Sequence, residues 1–218
     1  MHYTIFSCSP QNQRKSTSAL IAETMSRALS SDGDTASVHY INDKKKWQEC
    51  RKAFYETEYT LFVMPLYVEG VPGLLLEFLE SIDASQKKAG KMAFIIQGGF
   101  EEASQLRVAE EFLMQLPGHF NCEYAGTLVK GGLFGMATMR GEKDKERMVK
   151  EFQWAAERFK EKNAFDEETA RKVAGIEYYS KGMLVLARLS KPLNRIVWYF
   201  MGKKMGAQAS LTHRPYSY

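Results

Sequence analysis

The 218-residue chain has only three cysteines, Cys8, Cys50 and Cys122. They are scattered and form no C-x-x-C pair, which excludes a disulfide framework, a structural zinc site and a local thiol redox motif. There is no G-x-x-x-x-G-K-[ST] loop and no G-x-G-x-x-G after a strand, so the usual nucleotide and dinucleotide phosphate loops are missing. No G-x-S-x-G elbow supplies a serine nucleophile. Internal repeats and low-complexity tracts are absent as well. No basic stretch followed by an apolar run opens the chain, and the expected compartment is a reducing cytoplasm.

Composition is ordinary for a folded protein, with 44% hydrophobic and 26% charged residues, which excludes a disordered chain or a collagen-like fibre. The length suits one domain plus an elaboration. The net charge of +4 is unevenly spread. Residues 171–218 hold nine Lys/Arg against the single acid Glu177, leaving residues 1–170 mildly acidic. An acidic body with a basic tail argues against nucleic acid as a partner and for a local contact made by the tail.

Short β-rich apolar runs recur at Tyr3–Cys8, Ala36–Ile41, Tyr59–Pro65, Met92–Gln97 and Tyr124–Val129. The third and fourth are nearly continuous, as central strands covered on both faces require. Helical patterns lie between them at Ser18–Leu29, Lys46–Tyr55, Val71–Ile82 and Ala103–Leu116. The last of these offers Leu106, Val108, Phe112, Leu113 and Leu116 as its apolar positions. A charged helix at Glu142–Lys162, burying Met148, Phe152, Ala155, Ala156 and Phe159, closes the series. Strands alternating with helices imply parallel pairing through right-handed crossovers. The expected division is a domain over residues 1–162 and a basic helical extension over 163–218.

Such sheets bind ligands beyond the carboxyl ends of their strands, and three loops there carry chemistry. After strand one, Ser9, Gln11, Lys15, Ser16, Thr17 and Ser18 lie in a run rich in hydroxyls and amides that opens a helix. Backbone N–H groups, hydroxyls and the helix dipole together suit one phosphate dianion; an N-cap with a polar surface loop is the plainer reading. After strand three, Pro65, Leu66, Tyr67 and Val68 lead through Gly70 to Pro72-Gly73, a rigid turn able to line a flat ligand. After strand four, Gln97, Gly98, Gly99 and Phe100 allow close backbone approach, or simply a tight turn.

Taken together, Ser9-Pro10 … Ser16-Thr17-Ser18, Pro65-Leu66-Tyr67 with Pro72-Gly73, and Gly98-Gly99-Phe100-Glu101 resemble the NAD(P)H-dependent FMN reductases and related flavodoxin-like oxidoreductases. The resemblance spans about residues 3–160. It implies a three-layer α/β sandwich with a five-stranded parallel sheet in the order 2-1-3-4-5. It also implies FMN as cofactor and NAD(P)H as co-substrate, with electrons passed to a quinone, an azo or nitro compound, or free flavin. On this reading the first loop (Ser9, Gln11, Lys15, Ser16, Thr17, Ser18) holds the phosphate, and Pro65, Leu66, Tyr67 and Val68 line the isoalloxazine. Gln97, Gly98, Gly99 and Phe100 pack along its pyrimidine or ribityl side. Tyr67 is the side chain to watch as a stacking surface or hydrogen-bond donor, and no metal is expected. Two departures stand out: the first loop lacks glycine and is about one residue longer than the family pattern, and the cysteine cluster of iron–sulfur flavoproteins is absent. A flavodoxin-like electron carrier that does not use nicotinamide, and a cofactor-free binding module, are the alternatives.

Other candidates read as structure. His119 and Cys122 lack further ligands for a metal, and Lys44-Lys45-Lys46 and the pairs Glu101-Glu102, Glu110-Glu111 and Glu167-Glu168 suit solvated faces or helix ends. Cys8 sits at a buried strand end, and Gly131-Gly132-Leu133-Phe134-Gly135 forms either a rim to the site or a connection. In the extension, Pro192 suits a first helical turn. Leu193, Ile196, Val197, Phe200, Met201 and Met205 share one face, and Gly182–Leu189 is a second apolar segment. That face needs a partner: protein, in the same chain or in a homodimer, or an anionic membrane surface met by residues 182–206. Arg188, Lys191, Asn194 and Arg195 interrupt the run too often for a membrane span.

Overall fold

The apolar runs become strands of one sheet, the three central ones paired on both sides and the outer two on one. The structure, a computed structural model, describes residues 1–68, 70–86, 89–204 and 206. Its strands are β1 (His2–Ser7), β2 (Thr35–Tyr40), β3 (Tyr59–Pro65), β4 (Lys91–Gln97) and β5 (Glu123–Lys130). All pairings are parallel, in the order β2-β1-β3-β4-β5. β3 is buried at every position, whereas β2 at the sheet edge has no fully buried residue. That is the burial expected of central and edge strands.

Alternation along the strands builds two cores. Phe62 and Met64 of β3 join Phe6 and Phe94 against α2 (Trp47–Glu56), α3 (Gly73–Glu80) and α4 (Ser104–His119). Leu61 and Val63 join Tyr3, Ile5 and Ile95 against α1 (Thr17–Leu29) and α5 (Glu142–Lys162). On the first face Phe6, Phe62 and Phe94 occupy matching positions on neighbouring strands. Their rings stack at 5.2 and 5.8 Å between centroids, an aromatic cross-strand row that pins the register. Leu106 and Leu113 of α4 are buried, but Val108 and Phe112 face solvent. The four do not share a face: the buried stripe runs Leu106, Ala109, Leu113, while positions 108 and 112 sit on another side of the turn.

The sheet's compact unit extends from Met1 to Glu177, past the boundary expected at 162/163. The reason lies at a bulge in β5, where the register with β4 shifts between Met92 and Phe94. Gly126 there has φ +94°, and a Cβ on it would lie 2.4 Å from the Phe165 carbonyl oxygen. That vacancy admits Phe165, whose N–H donates to Ala125 O at 2.8 Å. A short helix, α6 (Glu167–Ala174), follows, capped by Asp166 accepting from the Thr169 N–H at 2.9 Å. Glu167 and Glu168 stand in its first turn, the favoured end of the dipole for acids. The strap ends beside α4, with the Ala103 N–H donating to Ile176 O at 2.8 Å and Arg107 paired with Glu177 at 3.1 Å. The outer edge of β5 is thereby covered.

Residues Tyr178–Tyr218 form a second unit. It contains α7 (Lys181–Leu189), N-capped by Ser180, and α8 (Lys191–Lys204) with Pro192 in its first turn. Of the expected apolar face, Ile196, Val197 and Phe200 are exposed and Met201 is half-buried. The Leu193 side chain and Met205 lie outside the described residues.

Candidate functional site

In this strand order the connections leave β1 and β3 toward opposite sides of the sheet. The crevice beyond their carboxyl ends is the topological switch point, where open α/β sheets take ligands. The first loop begins with the Cys8 N–H donating to Val63 O at 2.8 Å, which continues the β1–β3 pairing by one residue. Ser9 is buried, and its Oγ accepts from the Gln11 N–H at 3.2 Å. The loop then tightens into a 3₁₀ turn over Gln13–Lys15, capped by Asn12, and Asn42 Nδ2 donates to Gln11 O at 2.9 Å. Ser16 is the N-cap of α1, its Oγ accepting from the Ala19 N–H at 3.2 Å.

The N–H groups of Thr17 and Ser18 open α1 and have no acceptor within the helix. Ser16, Thr17 and Ser18 are buried, and Ser18 Oγ has no hydrogen-bond partner. Thr4, Thr60 and Thr169 carry similar orphan hydroxyls. Ser18 differs from them in lying on the first turn of a helix that opens at the switch point. Gln11 and Lys15 are exposed. Burial pushes the Cys8 thiol well above its ordinary pKa, so packing is its role.

The second loop is a tight hairpin. Tyr67 and Gly70 exchange backbone hydrogen bonds at 3.0 and 2.9 Å. Between them Val68 has φ +46° and is fully exposed. A β-branched residue in the left-handed region is strained, a condition that collects at functional loops. Pro65 is buried as the last residue of β3, Leu66 donates its N–H to Gln97 O at 2.9 Å, and the Tyr67 ring is half exposed. The α3 N-terminus, at Pro72-Gly73, follows directly.

The third loop is zipped to the glycine loop after β5. The Gly98 N–H donates to Lys130 O at 3.0 Å, the Leu133 N–H to Gly98 O at 2.9 Å, and the Gly132 N–H to Phe100 O at 2.7 Å. The glycines here serve protein packing. A Cβ on Gly98 would lie 2.6 Å from Leu106 Cδ2, and one on Gly131 would lie 2.4 Å from Phe100 O. Gly99 borders Phe134. Leu133 and Met136 anchor the glycine loop in the core, while Phe100 and Phe134 stay 73% and 45% exposed. The structure thus places Tyr67, Val68, Phe100 and Phe134 as an exposed apolar rim on the loops that leave the carboxyl ends of β3, β4 and β5. The hydroxyl-lined opening of α1 lies next along, at β1. The sequence left Gly131–Gly135 open between a rim and a connection, and nothing in it marked the Gly131–Gly132 clasp to the Phe100 loop.

A cavity of about 560 Å³ lies elsewhere, among the glycine loop, α5 and α6. Its wall holds the Lys130–Glu151 ion pair at 2.6 Å and Lys172 3.8 Å above the Trp154 ring. These contacts join β5, α5 and α6 and do not reach the switch point. Among the described residues no group of three or more His, Cys, Asp or Glu is placed to hold a metal ion.

No protein-family model matches the sequence, and no curated protein does. Solved structures do match in shape. An NADH:FMN oxidoreductase in its apo form aligns with TM-score 0.57 at 15% identity, covering 84% of this chain and 98% of that one. The fold is flavodoxin-like. An FMN-dependent NADH-azoreductase from Bacillus anthracis in complex with FMN aligns with TM-score 0.53 at 15% identity, over 73% of this chain and 99% of that one. An NAD(P)H:quinone oxidoreductase from Methanothermobacter marburgensis gives TM-score 0.53 at 14% identity, over 72% and 97%.

Proposed function

We propose that the chain is an FMN-dependent oxidoreductase that uses NAD(P)H to reduce a small acceptor such as a quinone, an azo or nitro compound, or free flavin. The observation that carries this reading is a helix opening lined by buried hydroxyls at the switch point, with exposed aromatic side chains on the neighbouring loops beyond β3, β4 and β5. The flavodoxin-like neighbours named for FMN-dependent azo, quinone and flavin reduction support it. The residues fit the group. Ser16 Oγ accepts from Ala19, leaving its own proton to donate, and Thr17 and Ser18 add N–H groups and hydroxyls, one of them an orphan. A phosphate dianion would satisfy these donors together and meet the positive end of the α1 dipole. Lys15 supplies a cation at the mouth. Tyr67, Val68 and Phe100, with Phe134, would cover the ring system, and the strained Val68 backbone holds the hairpin tip open to it. Gly98 and Gly99 act by joining this loop to its neighbour.

The flavin, when bound, supplies the hydride and electron transfer, so the protein needs no acid–base pair. Its own residues bind the phosphate, fix the ring plane and keep one face accessible to nicotinamide and acceptor in turn. The test is ligand discrimination. Replacing Ser16 and Thr17 with Ala removes hydrogen bonds to a charged group, each worth about 1.5–3 kcal/mol, so FMN affinity should fall at least tenfold while riboflavin binding barely changes. Equal losses for the two ligands would contradict a phosphate cradle at α1.

A further inference from the structure

The second unit carries seven Lys/Arg and no Asp or Glu over residues 178–218, whereas residues 1–177 are slightly acidic overall. Its helices leave most of their described apolar side chains in water: Leu186 is 67% exposed, Leu189 73%, Trp198 56% and Phe200 65%. Five consecutive positions of α8, Ile196–Phe200, are apolar and all are exposed. Successive helical residues turn by about 100°, so these five surround the helix. A rigid protein surface buries one stripe of a helix. A soft interfacial phase can take in several sides at once. Two copies of this unit would also bring two all-cationic surfaces together.

We propose that residues 178–206 bind the surface of an anionic lipid bilayer. The apolar side chains of α7 and α8 sit at the headgroup–acyl boundary, Trp198 and Tyr199 take the wet side of it, and Lys181, Arg188, Arg195, Lys203 and Lys204 meet the lipid phosphates. Lys203 lies 5.6 Å from the Tyr199 ring centre, so charge and aromatic anchor reach the same level. Crossing is not implied. No described helix is long and apolar enough to span, and the 14 residues of α8 extend only about 21 Å.

This inference is independent of the flavin reading and is tested without cofactor. The full chain is sedimented with vesicles of phosphatidylcholine alone or with one-quarter phosphatidylglycerol, at low and high salt, beside a variant carrying Trp198→Asp and Phe200→Asp. Both side chains are exposed, so the variant keeps the fold, which circular dichroism verifies. The wild type should pellet with the anionic vesicles, at least about tenfold more than with neutral ones. Salt should weaken that binding, and the variant should lose it. No preference for anionic vesicles, or equal binding by the variant, overturns the proposal. So does a wild-type dimer, seen by light scattering, that ignores vesicles and dissociates in the variant; the occupant is then a second copy of the chain.

Discussion

Replacing Gly131 with Ala should loosen the clasp between the two loops beyond β4 and β5. The new Cβ would lie 2.4 Å from Phe100 O and 2.5 Å from Glu101 O, both backbone atoms. Ordinary contact begins near 3.4 Å, so one loop must retreat by roughly 1 Å. The bond from the Gly132 N–H to Phe100 O, 2.7 Å long, is the first to break, at about 0.5–1.5 kcal/mol. Overpacking adds about 1–3 kcal/mol. The total is about 1.5–4.5 kcal/mol, a melting-temperature drop of roughly 3–18 °C for a chain of this size. Gly118→Ala is the control: nothing lies within 4 Å of its Cβ, and in a helix it should be neutral or stabilise by up to about 1 kcal/mol. On the proposed flavin site Gly131→Ala should also weaken FMN and riboflavin alike, because it moves the aromatic rim and not the phosphate cradle. An unchanged melting temperature would refute the packing argument. A loss confined to FMN would refute the assignment of the rim.

Two further outcomes follow from burial and charge. The Cys8 thiol is pushed up by burial, and Cys50 is raised to about 11 by burial and then by Glu49; at pH 8 neither should react with a thiol reagent until the protein is unfolded, and prompt labelling of native Cys8 would show an open strand end. Asp34 is held below the usual carboxylate range, first by the N-terminal ammonium at 2.5 Å and also by Lys160 at 3.2 Å. A depressed carboxylate stabilises the fold above its unfolded pKa, about 3.9, and loses that contribution as pH falls below it. Asp34→Asn should therefore lose less stability than wild type between pH 6 and about pH 3 in urea titrations; parallel losses would remove Asp34 from the account.

Much of the fold was legible because its signals are long and periodic. Tyr59–Pro65 and Glu142–Lys162 stand where the sequence put them, since an unbroken apolar run and a charged helix with a regular buried stripe admit few readings. The strap over residues 163–177 was not legible. α6 has eight residues and buries only Thr169, Val173 and Ala174, too few to set a period, and its docking depends on a vacancy at Gly126, forty residues away in sequence. At the site, the hydroxyl-rich opening of α1 could be read because an N-cap is a local device. The reason for Gly98 and Gly131 could not, since it lies in Leu106 and the Phe100 carbonyl across the loop pair. Val68 was read as a lining residue, but its left-handed backbone is imposed by the Tyr67–Gly70 bridge and leaves no mark in the residue type.

The central claim is that this fold carries FMN and reduces it with a nicotinamide. Purified protein, loaded with FMN and freed of excess, is mixed anaerobically with NADPH, and separately with NADH, while the flavin absorbance is followed. The account predicts bleaching of the bound flavin by at least one of the two and return of the colour on adding a quinone. Retained FMN that neither nucleotide bleaches would make the chain an electron carrier. Failure to bind FMN at all would contradict the flavin site itself.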